Sequence, residues 1–105
     1  MVILLNNFLV RPGKEGEFEE VFKTTGPDLL KTQRGLVRYR LHRSLSDRSR
    51  YVNYVEWESR EDFQRAMASP ALQQVAGKIQ NIATASPEFY EVVTETDFSR
   101  EGSVG

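Results

Sequence analysis

An asparagine and a tryptophan stand four residues apart in "RYVNYVEW" (50–57), a stretch otherwise patterned as a strand. Successive side chains of a strand alternate between faces. Tyr51, Asn53, Val55 and Trp57 therefore share one side, and Val52, Tyr54 and Glu56 the other. This puts a carboxamide and an indole N–H on a mostly apolar surface, where a buried polar group without a partner costs about 1–3 kcal/mol. Either the fold satisfies them or a ligand does. As chemistry they are donors, and "NNFLV" (6–10) adds a third in Asn6. Preorganised donors in a dry pocket stabilise an anionic oxygen, such as that of an ionised phenol or enolate. A carboxamide is no base, so deprotonation rests on the substrate's acidity or on His42, the single histidine. The expected catalytic set is Asn53, Trp57 and Asn6, with Phe63, His42 and Tyr51 contacting substrate.

Each assignment has an ordinary competitor. Trp57, Phe63 and Met67 can be core residues, and Asn53 can bond a nearby backbone group. Asn6 and Asn7 can serve an edge or a bulge, with register deciding which of them faces inward. His42 can be a partly solvated surface residue. Arg38, Arg40, Arg43, Arg48 and Arg50 can form a solvated face, or attract an acidic substrate. With one histidine, no cysteine and scattered carboxylates, no metal cluster is visible. Gly13 and Gly16 lack the pattern of a phosphate-binding loop. A net charge of −1, and arginines not interleaved with exposed aromatics, speak against nucleic acid.

Placing these residues requires one small domain. The 105 residues are 39% hydrophobic and 28% charged, ordinary for a globular chain with one modest core. The apolar opening "MVILLNNFLV" is too short to span a bilayer and lacks a basic segment or cleavage site, so a cytoplasmic protein is expected. Residues 2–10 read as a central strand, apolar on both faces. A helix over 14–32 follows, with Gly26-Pro27 predicting a kink or two short helices, and Gly35 suits the left-handed turn that closes it. "GLVRYRLHRS" places Val37, Tyr39 and Leu41 on one face and Leu36, Arg38, Arg40 and His42 on the other. The turn at 46–49 joins it to residues 50–58 as a hairpin. Ser59 with Asp62 opens a second helix, Ser69-Pro70 restarts it, and helical spacing runs on to Ala83. "PEFYEVVTE" (87–95) reads as the fourth strand. The order is βαββαβ, a ferredoxin-like α+β fold with a four-stranded antiparallel sheet covered by helices on one face. The other face would expose Ile3, Leu5, Leu9, Val52 and Tyr54, which predicts a homodimer with two sheets packed face to face.

"NNFLVRPGKEGEFEEVF", "GLVRYRLHRSL", "RYVNYVEWESREDFQRAMASPALQ" and "SPEFYEVV" together resemble the antibiotic biosynthesis monooxygenase (ABM) family of dimeric α/β barrels. The resemblance spans residues 2–95 and implies an ABM-like domain over 1–96, followed by a flexible tail over 97–105. It implies a cofactor-independent monooxygenase that oxidises an aromatic or polyketide-type phenol with O2, in a pocket lined by Asn53 and Trp57. A tyrosine and an arginine of that branch fall here on Phe63 and about Gly77. In the haem-degrading branch Asn6 and Trp57 match, but the histidine position falls on Ala76, which cannot ligate iron. No cofactor is therefore expected, and haem is disfavoured. The alternatives are a non-catalytic dimer that binds a small hydrophobic molecule and a polyketide cyclase-like protein. No nucleic-acid or membrane partner is expected.

Overall fold

The computed structural model describes residues 1–98. Seven elements follow one another: β1 (Val2–Val10), α1 (Glu15–Thr32), β2 (Leu36–Arg43), β3 (Arg50–Trp57), α2 (Arg60–Met67), α3 (Pro70–Gln80) and β4 (Ala83–Tyr90). The strands form one antiparallel sheet in the order β2-β3-β1-β4. The doubly apolar β1 is interior, while β2 and β4 form the edges. This is the expected ferredoxin-like fold. The tail assigned to 97–105 lies largely outside the described residues.

Local chemistry explains most boundaries. Ser59 caps α2 by accepting the Asp62 N–H at 3.1 Å, and its hydroxyl donates to the Asp62 carboxylate at 2.9 Å. The Arg65 guanidinium, which binds Asp62 at 2.7 Å, and then the Ser59 hydroxyl hold that carboxyl below the usual range. Ser69 caps α3 in the same way, with Pro70 in its first turn. Gly35 has φ +87°, the left-handed turn after α1.

Two expectations are corrected and one alternative is decided. Gly26-Pro27 does not split α1 into two short helices; α1 runs as one helix through Pro27. Tyr39 leans against it there, donating its hydroxyl to the Phe22 carbonyl at 3.0 Å, and the missing side chain of Gly26 makes room for that ring. In β2 an irregularity between Leu36 and Arg38 interrupts the alternation. Leu36 therefore packs on the core beside Tyr39, and Val37 is turned out to solvent. The last strand is β4 at Ala83–Tyr90, not 87–95. α3 ends at Gln80, and Ala83 pairs with Val10. Ile82 and Ala83 satisfy a helical period and are equally buried by a strand start. Pro87, which looked like a strand opening, is tolerated within β4 because β4 is an edge.

The helix-covered side of the sheet holds the core, in two clusters. Phe8, Val10, Phe18, Tyr51, Ile79, Ile82 and Ala83 form the first. Phe18 is fully buried, with its ring 5.0 Å from Phe8 and 4.7 Å from Tyr51. Leu4, Val55, Trp57 and Ala66 form the second, with Leu36, Tyr39, Phe63, Leu72 and Phe89 packed around them. What separates the two clusters is polar.

Candidate functional site

Asn6 and Asn53 are direct partners across β1 and β3. Cross-strand partners place their Cβ atoms about 4.5–5.5 Å apart on one face. Leu4 and Phe8 flank Asn6 along β1, and Tyr51 and Val55 flank Asn53 along β3. All four are core residues, so both carboxamides face the helices at the seam between the clusters. The row they occupy reads Leu41, Asn53, Asn6, Pro87 across the sheet. The next row is Tyr39, Val55, Leu4, Phe89, an apolar floor. Trp57 closes the end of this floor, 3% exposed, paired with Leu36 and Val2. Phe63 of α2 stands edge-on to the indole at 5.7 Å and to Phe89 at 4.6 Å.

Among the described residues, three buried side-chain polar atoms lack any hydrogen-bond partner: Asn6 Oδ1, Asn53 Oδ1 and Trp57 Nε1. They belong to the three residues whose types and spacing suggested chemistry. The Asn53 oxygen has no backbone partner, while Trp57 and Phe63 do pack in the second core cluster, as their ordinary reading has it. At about 1–3 kcal/mol each, three unpaired atoms are a large burden for a 105-residue domain. Asn53 and Trp57 lie four residues along one strand, so their Cα atoms are about 13 Å apart. The polar groups therefore bracket an apolar platform, onto which Phe63 and Leu72 pack, rather than converge on one point.

The remaining sequence-predicted residues lie differently. Asn7, the other member of the pair, is exposed on the opposite face, so the register selects Asn6. His42 is exposed on the edge strand β2, its Nδ1 3.4 Å from the Val52 carbonyl. With Asn7, Arg43, Arg50 and Ser86 it lines a recess of about 320 Å³. Tyr51 is on the helix-facing side but in the first cluster, where its hydroxyl donates to Glu19 Oε2 at 2.6 Å. Burial and the neighbouring Glu19 push this phenol up to about 12. It stays protonated at neutral pH and is no base. Phe63 does join Trp57. Gly77 and Ala76 are both exposed on α3. The platform residues Leu4, Tyr39 and Phe89 escaped the sequence reading, because the strand register sets them beside the asparagines.

A second cleft, of about 420 Å³, opens between α1 and the β2–β3 hairpin. It is lined by Glu19, Phe22, Lys23, Tyr39, Leu41, Arg43, Arg48 and Tyr51. Asn6, Asn53 and Trp57 are not in the lining of either hollow; their unpaired atoms are enclosed between sheet and helices.

The antibiotic biosynthesis monooxygenase family model matches residues 1–78. The chain is 33% identical over 89 residues to the tetracenomycin-F1 monooxygenase of Streptomyces glaucescens, covering 85% of this chain and 79% of that protein. It is similar to the crystal structure of SnoaB, a cofactor-independent oxygenase from Streptomyces nogalater. That match has TM-score 0.82 and 30% identity, and covers 90% of this chain and 94% of that one. A conserved protein from Methanosarcina mazei, 15% identical with TM-score 0.77 over 85% of this chain and 89% of its own, shares the fold alone.

Proposed function

This chain belongs to the antibiotic biosynthesis monooxygenase family, and from that premise we propose a cofactor-independent monooxygenase that oxidises a polycyclic, polyketide-type phenol to a quinone with O2. One observation carries the reading: the unpaired Asn6, Asn53 and Trp57 atoms on the helix-facing side of the sheet. Buried polar atoms without partners cost stability, and proteins retain such costs at functional sites. A bound phenol supplies what is missing. Its neutral hydroxyl can donate to a carboxamide oxygen, and its ionised oxygen can accept from an amide or the indole N–H. The length of the platform between Asn53 and Trp57 suits a fused-ring molecule carrying oxygens at both ends.

In the reaction we propose, an ionised phenol gives one electron to O2, and the two radicals combine at the para ring carbon as a hydroperoxide. Loss of water takes the ring hydrogen and one oxygen atom, leaving a quinone. One phenol and one O2 thus become one quinone and one H2O. The protein's part is to hold the anion, exclude water and stabilise charge with fixed donors. No base is found beside the platform among Asn6, Asn53, Trp57 and Phe63, so ionisation rests on the substrate's acidity, which the donors raise. The helix position that would hold an axial histidine carries Ala76, which has no group to ligate haem. We further propose that the protein works in the cytoplasm as a homodimer joined through its open sheet face.

The test is oxygen uptake by the purified protein with dihydroxylated polycyclic phenols. The expected result is one O2 consumed per quinone formed, and a loss of about a hundredfold or more in Trp57→Phe, as when one fixed donor is removed from an oxyanion site. No oxidation of any such phenol, with ligand binding untouched in Trp57→Phe, would contradict the assignment.

A further inference from the structure

We propose that α2 is the movable cover of the platform, latched by Arg60 as a positioning residue, and that substrate enters where α2 swings out about Ser59 and Ser69. This rests on the reading of the site above and adds its route of entry.

Closure comes first. The unpaired Asn6, Asn53 and Trp57 atoms line neither hollow, whereas a pocket for a small-molecule guest measures about 300–1,000 Å³. A fused-ring phenol reaches them only when part of the cover moves. Over the platform that cover is Phe63 and Ala66 of α2, with Leu72 of α3.

What fastens each helix decides which one moves. α1 is tied to β2, β3 and their turn by four polar contacts. Tyr39 donates to the Phe22 carbonyl at 3.0 Å, Tyr51 to Glu19 Oε2 at 2.6 Å and Ser49 to Glu15 Oε2 at 2.9 Å, and Arg43 Nη1 lies 3.3 Å from Glu19 Oε2. α3 is held at its far end, where Ile79 sits in the first cluster and the Ile82 carbonyl just beyond accepts the Arg11 N–H at 2.8 Å. α2 has no such tie. Among the described residues, its hydrogen bonds and ion pairs all close between Ser59 and Gln73. Ser59 caps α2 and Ser69 caps α3, each with an extended backbone, so the chain can pivot at either serine with both helices whole.

Ring contacts hold α2 down instead. Phe63 meets Trp57 and Phe89 edge-on. One turn back, the Arg60 Cζ lies 5.6 Å over the same Phe89 ring, fastening the start of α2 to the edge strand β4. A cation over a ring at an exposed site is a weak bond, which biases a cover shut without sealing it. Opening lifts Phe63 from the indole and uncovers the platform from the α2 side, as a lid does.

The experiment reads Trp57, the only tryptophan and a buried one, through quenching by acrylamide, a small neutral probe. Arg60→Ala is expected to raise the quenching rate constant about twofold to fivefold, as loss of an exposed cation–π contact allows. Arg60→Lys, which keeps a cation there, should stay near wild type. Ala68→Gly, which loosens the joint between α2 and α3, should act in the same direction as Arg60→Ala. Ser49→Ala, which cuts a tie of α1, should leave quenching unchanged. With a dihydroxyanthracene under nitrogen, Arg60→Ala should speed entry and exit together and leave Kd as it was, because the latch is closed both before and after entry. Quenching unchanged in Arg60→Ala and Ala68→Gly, or raised equally by Ser49→Ala, would overturn the inference. Oxygen uptake is scored separately. Quenching that depends on α2 in a protein that oxidises no phenol would sink the monooxygenase reading and leave the cover standing. Turnover of phenols in a protein whose Trp57 quenching ignores α2 would do the reverse.

Discussion

Asn6 and Asn53 each carry a carboxamide oxygen shut away from water and from every donor among the described residues. If these atoms wait for a ligand, removing one relieves the fold. Asn53→Leu, close in shape, is expected to raise unfolding free energy by about 1–2 kcal/mol in urea titrations while turnover falls. A loss of stability would mean that the two facing carboxamides bond each other in solution. Much of this was readable beforehand. β3 alternates without interruption, so the common face of Asn53 and Trp57 follows from a period of two. The choice of Asn6 over Asn7 did not, because both faces of β1 are apolar and only pairing with β3 breaks the tie. His42 drew attention by its chemistry, but the strand alternation that put it opposite Leu41 also put it away from the platform.

The elements were legible where capping or turn chemistry marked them, as at Ser59, Ser69 and Gly35. They were misread where one residue satisfies two patterns. Ile82 and Ala83 fit the period of α3 and are buried as the entry to β4. The irregularity in β2 left no sequence signature, since Leu36 and Val37 are both apolar and either can face inward. Gly26-Pro27 was a real signal with a different meaning. The glycine is a socket for Tyr39, and a Cβ there would overlap the phenol ring. Gly26→Ala is expected to cost about 1–3 kcal/mol by overpacking. In a Tyr39→Ala background most of that cost should vanish, and a double-mutant cycle of urea unfolding measures the difference. Additive losses would show that Gly26 serves the helix backbone instead. Because Tyr39 also belongs to the platform row, this socket ties α1 to the floor of the site.

The whole molecule has one well-covered face and one that is not. Leu9 and Tyr90 are each 46% exposed on the open side of the sheet, beside the half-buried Leu5, Val52 and Tyr54; Ile3, expected to be exposed there, is buried. Such a surface favours self-association through a twofold contact. Sedimentation equilibrium should give twice the 12.1 kDa chain mass. Leu9→Lys/Val52→Lys should give the monomer with its helix-side core intact, whereas a wild-type monomer at micromolar concentration would remove the dimer. The central claim concerns the covered side, and one titration reaches it most directly. An apolar pocket alone raises a phenol's pKa, whereas fixed donors lower it. With a dihydroxyanthracene bound to wild-type protein under nitrogen, ultraviolet–visible spectra should show ionisation about one pH unit or more below that of the free phenol. Trp57→Phe, which removes the unpaired indole N–H, should abolish the shift. A bound phenol that ionises at or above the pH of the free one would mean that Asn6, Asn53 and Trp57 stabilise no oxyanion.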